Sequence, residues 1–300
     1  MRINRTSLLY LLGTSVFYGL LIVIQKMGLN SGLDPLSFSF SRSILIIFIS
    51  LIFFLPHLKK LKFIKKSELR DLLILGFVSS VAILILFLGQ NITTAINAGF
   101  LIRLTPLFVL PIAYLLLREK SSRNSIFFMI IMLIGAFLLI TNGTLTIPNM
   151  GDLLIIVTAL AVAFQNVFAK KIMHSVSTEV IIFFRVGISA LLIVMFIPFI
   201  LGYQSLNALF NGLFYVLLTA ILYFLSIVCQ YRAIKLVGPF ITTTFFLSGS
   251  IFSALFAYIL LGEVLSFVQW TGALCVLGGA YLLSKRTKRG NRNLDRCDTK

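Results

Sequence analysis

The chain carries few residues able to do chemistry, and their placement limits which chemistry is open. Its nine acids are Asp34, Glu68, Asp71, Glu119, Asp152, Glu179, Glu263, Asp295 and Asp298, and its histidines are His57 and His174. All of them fall beside polar stretches, at the edges of apolar runs or in the C-terminal tail. No Ser/His/Asp set, no pair of carboxylates inside an apolar run and no metal-binding cluster can be assembled from them. Cys229, Cys275 and Cys297 form no pair at metal-ligand spacing and read as free thiols. A membrane-embedded enzyme of lipid metabolism would need acidic or histidine motifs at the membrane surface, so it is the weaker rival. A proton relay through a buried carboxylate, the commonest coupling device, also lacks its residue. No cofactor is expected.

Four basic residues, Lys26, Arg42, Arg103 and Arg185, fall within apolar runs or at their borders. Arg42 and Arg185 lie about six residues in, roughly 9 Å at the helical rise. Snorkelling to the interface or a structural ion pair accounts for them at that depth. Lys26 is shallower and reads as an anchor. Arg103 lies about eight residues in, roughly 12 Å into a hydrocarbon core about 30 Å thick. A charge at such depth costs at least about 2.5–3.5 kcal/mol if nothing compensates it. Pro106 and Pro111 each remove a backbone donor, which frees the carbonyls of Ile102 and Leu107 and predicts a kink. The guanidinium then either bonds those carbonyls or a neighbouring helix end, or it faces a polar path and awaits an anion.

Other polar side chains share helical faces. Thr14, Tyr18 and Gln25 line the first apolar run, and Thr158 and Gln165 the sixth. Ser79 and Gln90 align on the third, Tyr223 and Gln230 on the eighth, and Thr243 and Ser250 on the ninth. Singly, each is an ordinary helix–helix hydrogen bond. Together with Arg103 they outline a candidate substrate site of Arg103, Tyr18, Thr14, Gln165, Thr158, Tyr223, Ser79, Gln90, Thr243 and Ser250. Gly135, Gly278 and Gly279 read as close-packing positions.

The elements that must position these residues follow from composition. Of the 300 residues, 59% are hydrophobic and only 12% charged, with a mean hydropathy of +1.05. A soluble fold cannot hide so much apolar surface, whereas lipid solvates it. Ten segments are long and apolar enough to span: 7–26, 36–56, 71–90, 95–117, 124–141, 152–172, 179–199, 213–231, 239–261 and 266–284. The first is too long for a secretory h-region and ends in Gln25-Lys26-Met27 rather than a cleavage site, so it reads as retained. The net charge of +17 points to inner-leaflet lipid rather than nucleic acid. Of the 26 basic residues, 22 fall on one side of this topology, in the N-terminus, alternate loops and the tail. The positive-inside rule therefore predicts both termini in the cytoplasm, as for a prokaryotic inner-membrane protein. The tail, 285–300, is expected to be disordered.

An internal repeat divides the chain. Tyr114-Leu-Leu-Leu-Arg-Glu119 matches Tyr258-Ile-Leu-Leu-Gly-Glu263, and Leu133-Ile-Gly-Ala-Phe-Leu-Leu139 matches Leu277-Gly-Gly-Ala-Tyr-Leu-Leu283, both displaced by 144 positions. Arg42 falls on Arg185 at 143. The copies are 7–141 and 152–284, preceded by the N-terminus 1–6. Five helices per copy is an odd number, so the second copy enters from the opposite side. That is the inverted-repeat design of many secondary transporters.

These residues resemble a known family. Pro106 lies thirteen residues before Glu119, which ends its helix, and Arg42 lies seven residues after Pro35 in Asp34-Pro35. The second copy keeps Arg185 and Gly262-Glu263, has Ser250 in place of the proline, and the first has Arg118 where a glycine is usual. Over 7–284 the pattern resembles the EamA-type drug/metabolite transporters. The resemblance implies ten helices, cytoplasmic termini and a central cavity lined by the first, third, fourth, sixth, eighth and ninth helices.

The expected protein is an all-α integral membrane protein with ten transmembrane helices in two inverted five-helix repeats. Its expected function is alternating-access transport of a small polar or amphipathic metabolite, such as a carboxylate-bearing amino-acid or organic-acid derivative. Efflux of lipophilic compounds, with Arg103 structural, is the alternative. Its partners are then a small-molecule substrate and membrane lipid, with monomer and homodimer both open.

Overall fold

The structure, a computed structural model, describes residues 4–33, 35–93, 95–119, 121–144, 149–201, 212–262 and 264–292. The described elements are α1 (Arg5–Asn30), α2 (Pro35–Phe54), α3 (Lys66–Ile92), α4 (Ala95–Leu101), α5 (Thr105–Leu117), α6 (Arg123–Thr141), α7 (Met150–Ile172), α8 (Thr178–Leu201), α9 (Leu213–Val237), α10 (Pro239–Phe246), α11 (Gly249–Leu261) and α12 (Phe267–Arg292). Short 3₁₀ segments run over Leu55–Phe63 and Ile102–Leu104. Among the described residues nine helical stretches are long and apolar enough to cross a membrane. α12 opens with a shorter apolar stretch, Phe267–Leu283.

Local chemistry sets several helix ends. Asn4 caps α1 by accepting from the Ser7 amide at 2.8 Å. Asn149 and Asp152 form a reciprocal capping box at α7. α5 and α11 end alike: Arg118 and Gly262, 144 positions apart, take left-handed conformations with φ of 55° and 68°. Their amides donate to the carbonyls of Tyr114 and Tyr258, and the Glu119 amide returns to that of Ala113. A glycine serves that corner without strain, whereas arginine crowds its Cβ against a carbonyl.

Two spans are interrupted at matching positions. The fourth apolar run is α4, the 3₁₀ turn Ile102–Leu104, then α5. The ninth is α10, a break at Leu247-Ser248, then α11. Pro106 stands in the first turn of α5, where its missing amide costs nothing. The expected kink is thus a full break, and it falls on Arg103 itself. Two other limits differ from expectation. α3 starts at Lys66, five residues early. α12 continues to Arg292, so 285–292 is helical rather than disordered. Lysine and arginine are good helix formers and suit a helix C-terminus. Residues 293–300 lie outside the described region.

Packing follows an exchange of halves. α1 packs on α9 and α7 on α3; α1 packs on α11 and α7 on α5; α2 packs on α9 and α8 on α3. α2 meets α8, and α6 meets α12. The last contact is a backbone-to-backbone approach. A Cβ on Gly135 would lie 2.7 Å from the Gly272 carbonyl, and one on Gly272 would lie 2.6 Å from the Gly135 carbonyl. Gly279 is also close, 2.4 Å from the Met132 side chain, but Gly278 faces open space. The close-packing reading therefore fails at Gly278: the packed face of α12 passes through Gly272, Val276 and Gly279 instead.

Two outcomes follow for stability. Arg118→Gly removes a left-handed non-glycine residue and should raise the unfolding free energy by about 1 kcal/mol. Gly272→Val should lower it by about 1–3 kcal/mol, because the opposing atom is backbone and cannot step aside. Thermal unfolding of the detergent-solubilised protein reads both.

Candidate functional site

Three arginines are held inside the bundle, each in a different state of satisfaction. Arg185 of α8 is 7% exposed. Its Nε donates to Ser79 Oγ on α3 (3.3 Å) and its Nη2 to Gln165 Oε1 on α7 (3.1 Å). The guanidinium also lies 5.0 Å from the ring centroid of Tyr231 on α9. Gln165 is anchored in turn, its amide donating to the Val78 carbonyl at 3.4 Å. Only Nη1 lacks a partner. The arginine does not snorkel to the interface, nor does it form an ion pair among the described residues. Neutral acceptors and an aromatic face hold it instead.

Arg42 of α2 occupies the corresponding place in the first half. Its Nη1 donates to Gln25 Oε1 on α1 (3.1 Å), and its guanidinium lies 5.5 Å from the ring centroid of Tyr223 on α9. Tyr223 and Ser79 are 144 positions apart, so each arginine meets the same position of the opposite half. The amide partners are not equivalent: Gln165 matches Leu21, and Gln25 matches Ala169. Arg42 Nε is buried without a hydrogen bond, although the residue as a whole is only half-buried.

Arg103 is the least satisfied. It is 5% exposed, and neither Nε nor Nη1 has a hydrogen-bond partner among the described residues. The carbonyl that Pro106 was expected to free for it is taken: Ile102 accepts from the Thr105 hydroxyl at 2.6 Å and from the Thr105 amide. Arg103 Nη1 instead approaches Gly249, 4.0 Å from where a Cβ on that glycine would stand. Gly249 opens α11, so the guanidinium of one helix break reaches the other. That second break is fixed to α1 by hydroxyls. Ser15 and Ser248 Oγ lie 2.9 Å apart, and both reach the Phe245 carbonyl, at 3.3 and 2.7 Å.

Tyr18 of α1 joins these parts. Its ring packs on Phe246 with centroids 4.5 Å apart. On the same helix Leu21 and Ile24 form a cluster with Leu222 against which Tyr223 packs. Tyr18, Gln25, Arg42 and Tyr223 all remain half-buried.

The remaining sequence candidates separate. Thr14, Thr158, Thr243 and Ser250 are buried, with hydroxyls turned onto their own helices at Tyr10, Leu154, Pro239 and Leu247. Gln90 is exposed near the end of α3. Ser79 and Gln165 sit with Arg185, and Tyr223 sits under Arg42. Reasoning from the sequence missed Gln25 as the partner of Arg42, Tyr231 as the ring facing Arg185, and the Ser15–Ser248 pair. Gln25 and Ser15 lie on an apolar run where nothing in one chain's spacing names a partner 17 or 233 residues away. Of the acids in the described residues, Asp152 is buried, but it belongs to the α7 cap and meets Thr93 at the end of α3.

Gln165→Leu should cost about 2–3 kcal/mol, because it strips an acceptor from a buried charged donor. The same change in an Arg185→Gln background should cost much less. A double-mutant cycle of thermal unfolding measures the difference.

The profile of the EamA-like transporter family matches the chain twice, over residues 5–141 and 149–285. An uncharacterised transporter of Clostridium kluyveri is 26% identical over 303 residues, covering 94% of each chain. Another, from Methanothermobacter thermautotrophicus, is 25% identical over 240 residues, covering 73% of this chain and 66% of its own length. A crystal structure with 15% identity superposes with a TM-score of 0.73 over 94% of this chain and 98% of its own, a likeness of fold. With both halves matched and the apolar helices in place, this chain belongs to the EamA-like transporter family and is an integral membrane transporter of that type.

Proposed function

We propose that the protein moves a small polar or amphipathic metabolite bearing a carboxylate, by alternating access between two inverted five-helix repeats. The repeats are 7–141 and 152–284, flanked by the N-terminus 1–6 and the basic tail 285–300. α6 and α12 complete ten spans. The exchange of packing partners between the halves supports the inverted arrangement, as do the breaks 144 positions apart. In such a design the substrate lies where broken helices meet, near mid-membrane.

The observation that carries the substrate class is Arg103. Its guanidinium is buried at the meeting of the two breaks with two nitrogens unbonded. No acid among the described residues forms a salt bridge with it. A buried cation without a counter-ion is costly, and an anionic ligand removes that cost. The half-buried Tyr18, Gln25, Arg42 and Tyr223 contact neighbouring helices yet keep surface open, which suits a polar path beside Arg103. Tyr18 and the Arg103 guanidinium then form the substrate-binding core. Ser79, Gln165, Thr14, Thr158, Thr243 and Ser250 shape the helices around it.

Thermal-shift screening of the purified protein against carboxylic metabolites tests this, with hits followed by uptake into proteoliposomes. Arg103→Lys should weaken binding by about tenfold, because lysine loses the two-pronged grip on a carboxylate. Arg103→Ala should abolish binding while the protein stays folded and monodisperse. Wild-type affinity in Arg103→Ala would reject the carboxylate reading and favour lipophilic efflux with Arg103 structural.

In this reading both termini lie in the cytoplasm of a prokaryotic cell, which the charge asymmetry of the loops supports. Single cysteines at Lys62 or Ser121 should therefore resist an impermeant maleimide added to intact cells and react after permeabilisation. Rapid labelling from outside would reverse the orientation.

A further inference from the structure

The site holds more positive charge than one carboxylate answers. Arg103 leaves Nε and Nη1 unbonded, and Arg42 leaves Nε buried and unbonded. Tyr18 packs on Phe246 at the second break, and Tyr223, which lies under Arg42, packs against the cluster of Leu21, Ile24 and Leu222 that joins the same helix α1 to α9. Tyr18 is neutral, as are the groups that contact Arg42, Gln25 and Tyr223. The contrast with Arg185 is informative. The same position in the second half has two hydrogen bonds and a ring, and is closed off at 7% exposure. Arg42 has a single amide and a ring, and stays half-open. Two copies of one arginine have therefore diverged: each keeps one buried nitrogen unbonded, but Arg185 is closed off by the protein whereas Arg42 stays half-open.

We propose that the substrate is a small organic dianion with two separate anionic groups, one held by Arg103 at the helix breaks and the other by Arg42, with Tyr18 between them. The proposal rests on the reading of Arg103 as a substrate anchor and extends it to a second anchor. Each guanidinium supplies the charge and the planar donors that a carboxylate needs, and the spare donors differ in place: Nε and Nη1 on Arg103, Nε on Arg42. The tyrosine hydroxyls of Tyr18 and Tyr223 provide neutral hydrogen-bond donors along the spacer without adding charge. A second cation with no carboxylate partner among the described residues gives the two-headed ligand an advantage that a single-headed one lacks.

The test compares dicarboxylates of two to five carbons with matched monocarboxylates on the purified full-length protein, by thermal shift and isothermal titration. sn-Glycerol 3-phosphate serves as a dianion with one head. At least one dicarboxylate should bind about tenfold or more tightly than its monocarboxylate counterpart. Arg42→Gln should reduce it to the affinity of that counterpart, whereas Arg103→Gln should remove both. Arg42→Lys, which keeps the charge, should restore part of the preference and serves also if the glutamine variant does not survive purification. Equal losses for one-headed and two-headed ligands in Arg42→Gln would make Arg42 a helix-positioning residue and overturn the proposal while leaving Arg103 as anchor. Preference for glycerol phosphate over every dicarboxylate would overturn the two-headed geometry. Absence of binding by any carboxylate, with Arg103→Gln without effect, would instead remove the underlying reading.

Discussion

The structure is organised around positive charge buried in an apolar bundle with no carboxylate paired to it among the described residues. Lipid gives a guanidinium no partner, so each arginine must find dipoles, rings or a ligand, or withdraw to the interface. Arg185 finds a glutamine, a serine and a tyrosine ring on three different helices. Those contacts cross α3, α7, α8 and α9, so one side chain ties four helices together. Arg42 ties α1, α2 and α9 with fewer contacts. Arg103 ties nothing by hydrogen bonds through Nε or Nη1 among the described residues.

The broken helices give that third arginine its place. An unbroken helix would satisfy its own backbone and leave the guanidinium to cross the bundle. The 3₁₀ turn at Ile102–Leu104 instead brings the carbonyl end of α4 and the amide end of α5 to one level, and Leu247-Ser248 does the same for α10 and α11. The two breaks are stabilised differently: Thr105 closes the first locally, whereas Ser15 and Ser248 fix the second to α1. The Ile102 carbonyl of the first and the Phe245 carbonyl of the second already accept from hydroxyls, so these two are taken. The outer contact between α6 and α12 is built on facing glycines, with Gln269 of α12 donating to the Leu139 carbonyl of α6 at 3.2 Å.

Duplication explains both the likeness of the halves and their difference. Position 42 and position 185 keep arginine, and each arginine meets residue 223 or 79 of the other half. Backbone geometry is retained as well, down to the left-handed corner that glycine fills in one copy and arginine in the other. The side chains around the retained arginines have diverged. Leucine stands at 21 where glutamine stands at 165, and tyrosine at 223 where serine stands at 79. A pair of sites that began alike has become one closed cluster and one half-open one.

The sequence alone determined the solvent, the class and the periodicity of this protein. Apolar runs of spanning length can exist only in lipid, and the 144-residue displacement marks two copies of one unit, since local composition and order survive in the string. It also marked Arg103, because a charge far from either end of an apolar run is legible by counting. What it did not determine was which dipole meets which charge. Gln165, read as a companion of Arg103, lies against Arg185; Gln25 lies against Arg42; Ile102 is occupied by Thr105. Helical spacing fixes the face of a residue on its own helix, but the partner across the bundle depends on the rotation and crossing of two helices. Those are set by the sum of many weak packing contacts, including the glycine approaches, and no single stretch of sequence contains them.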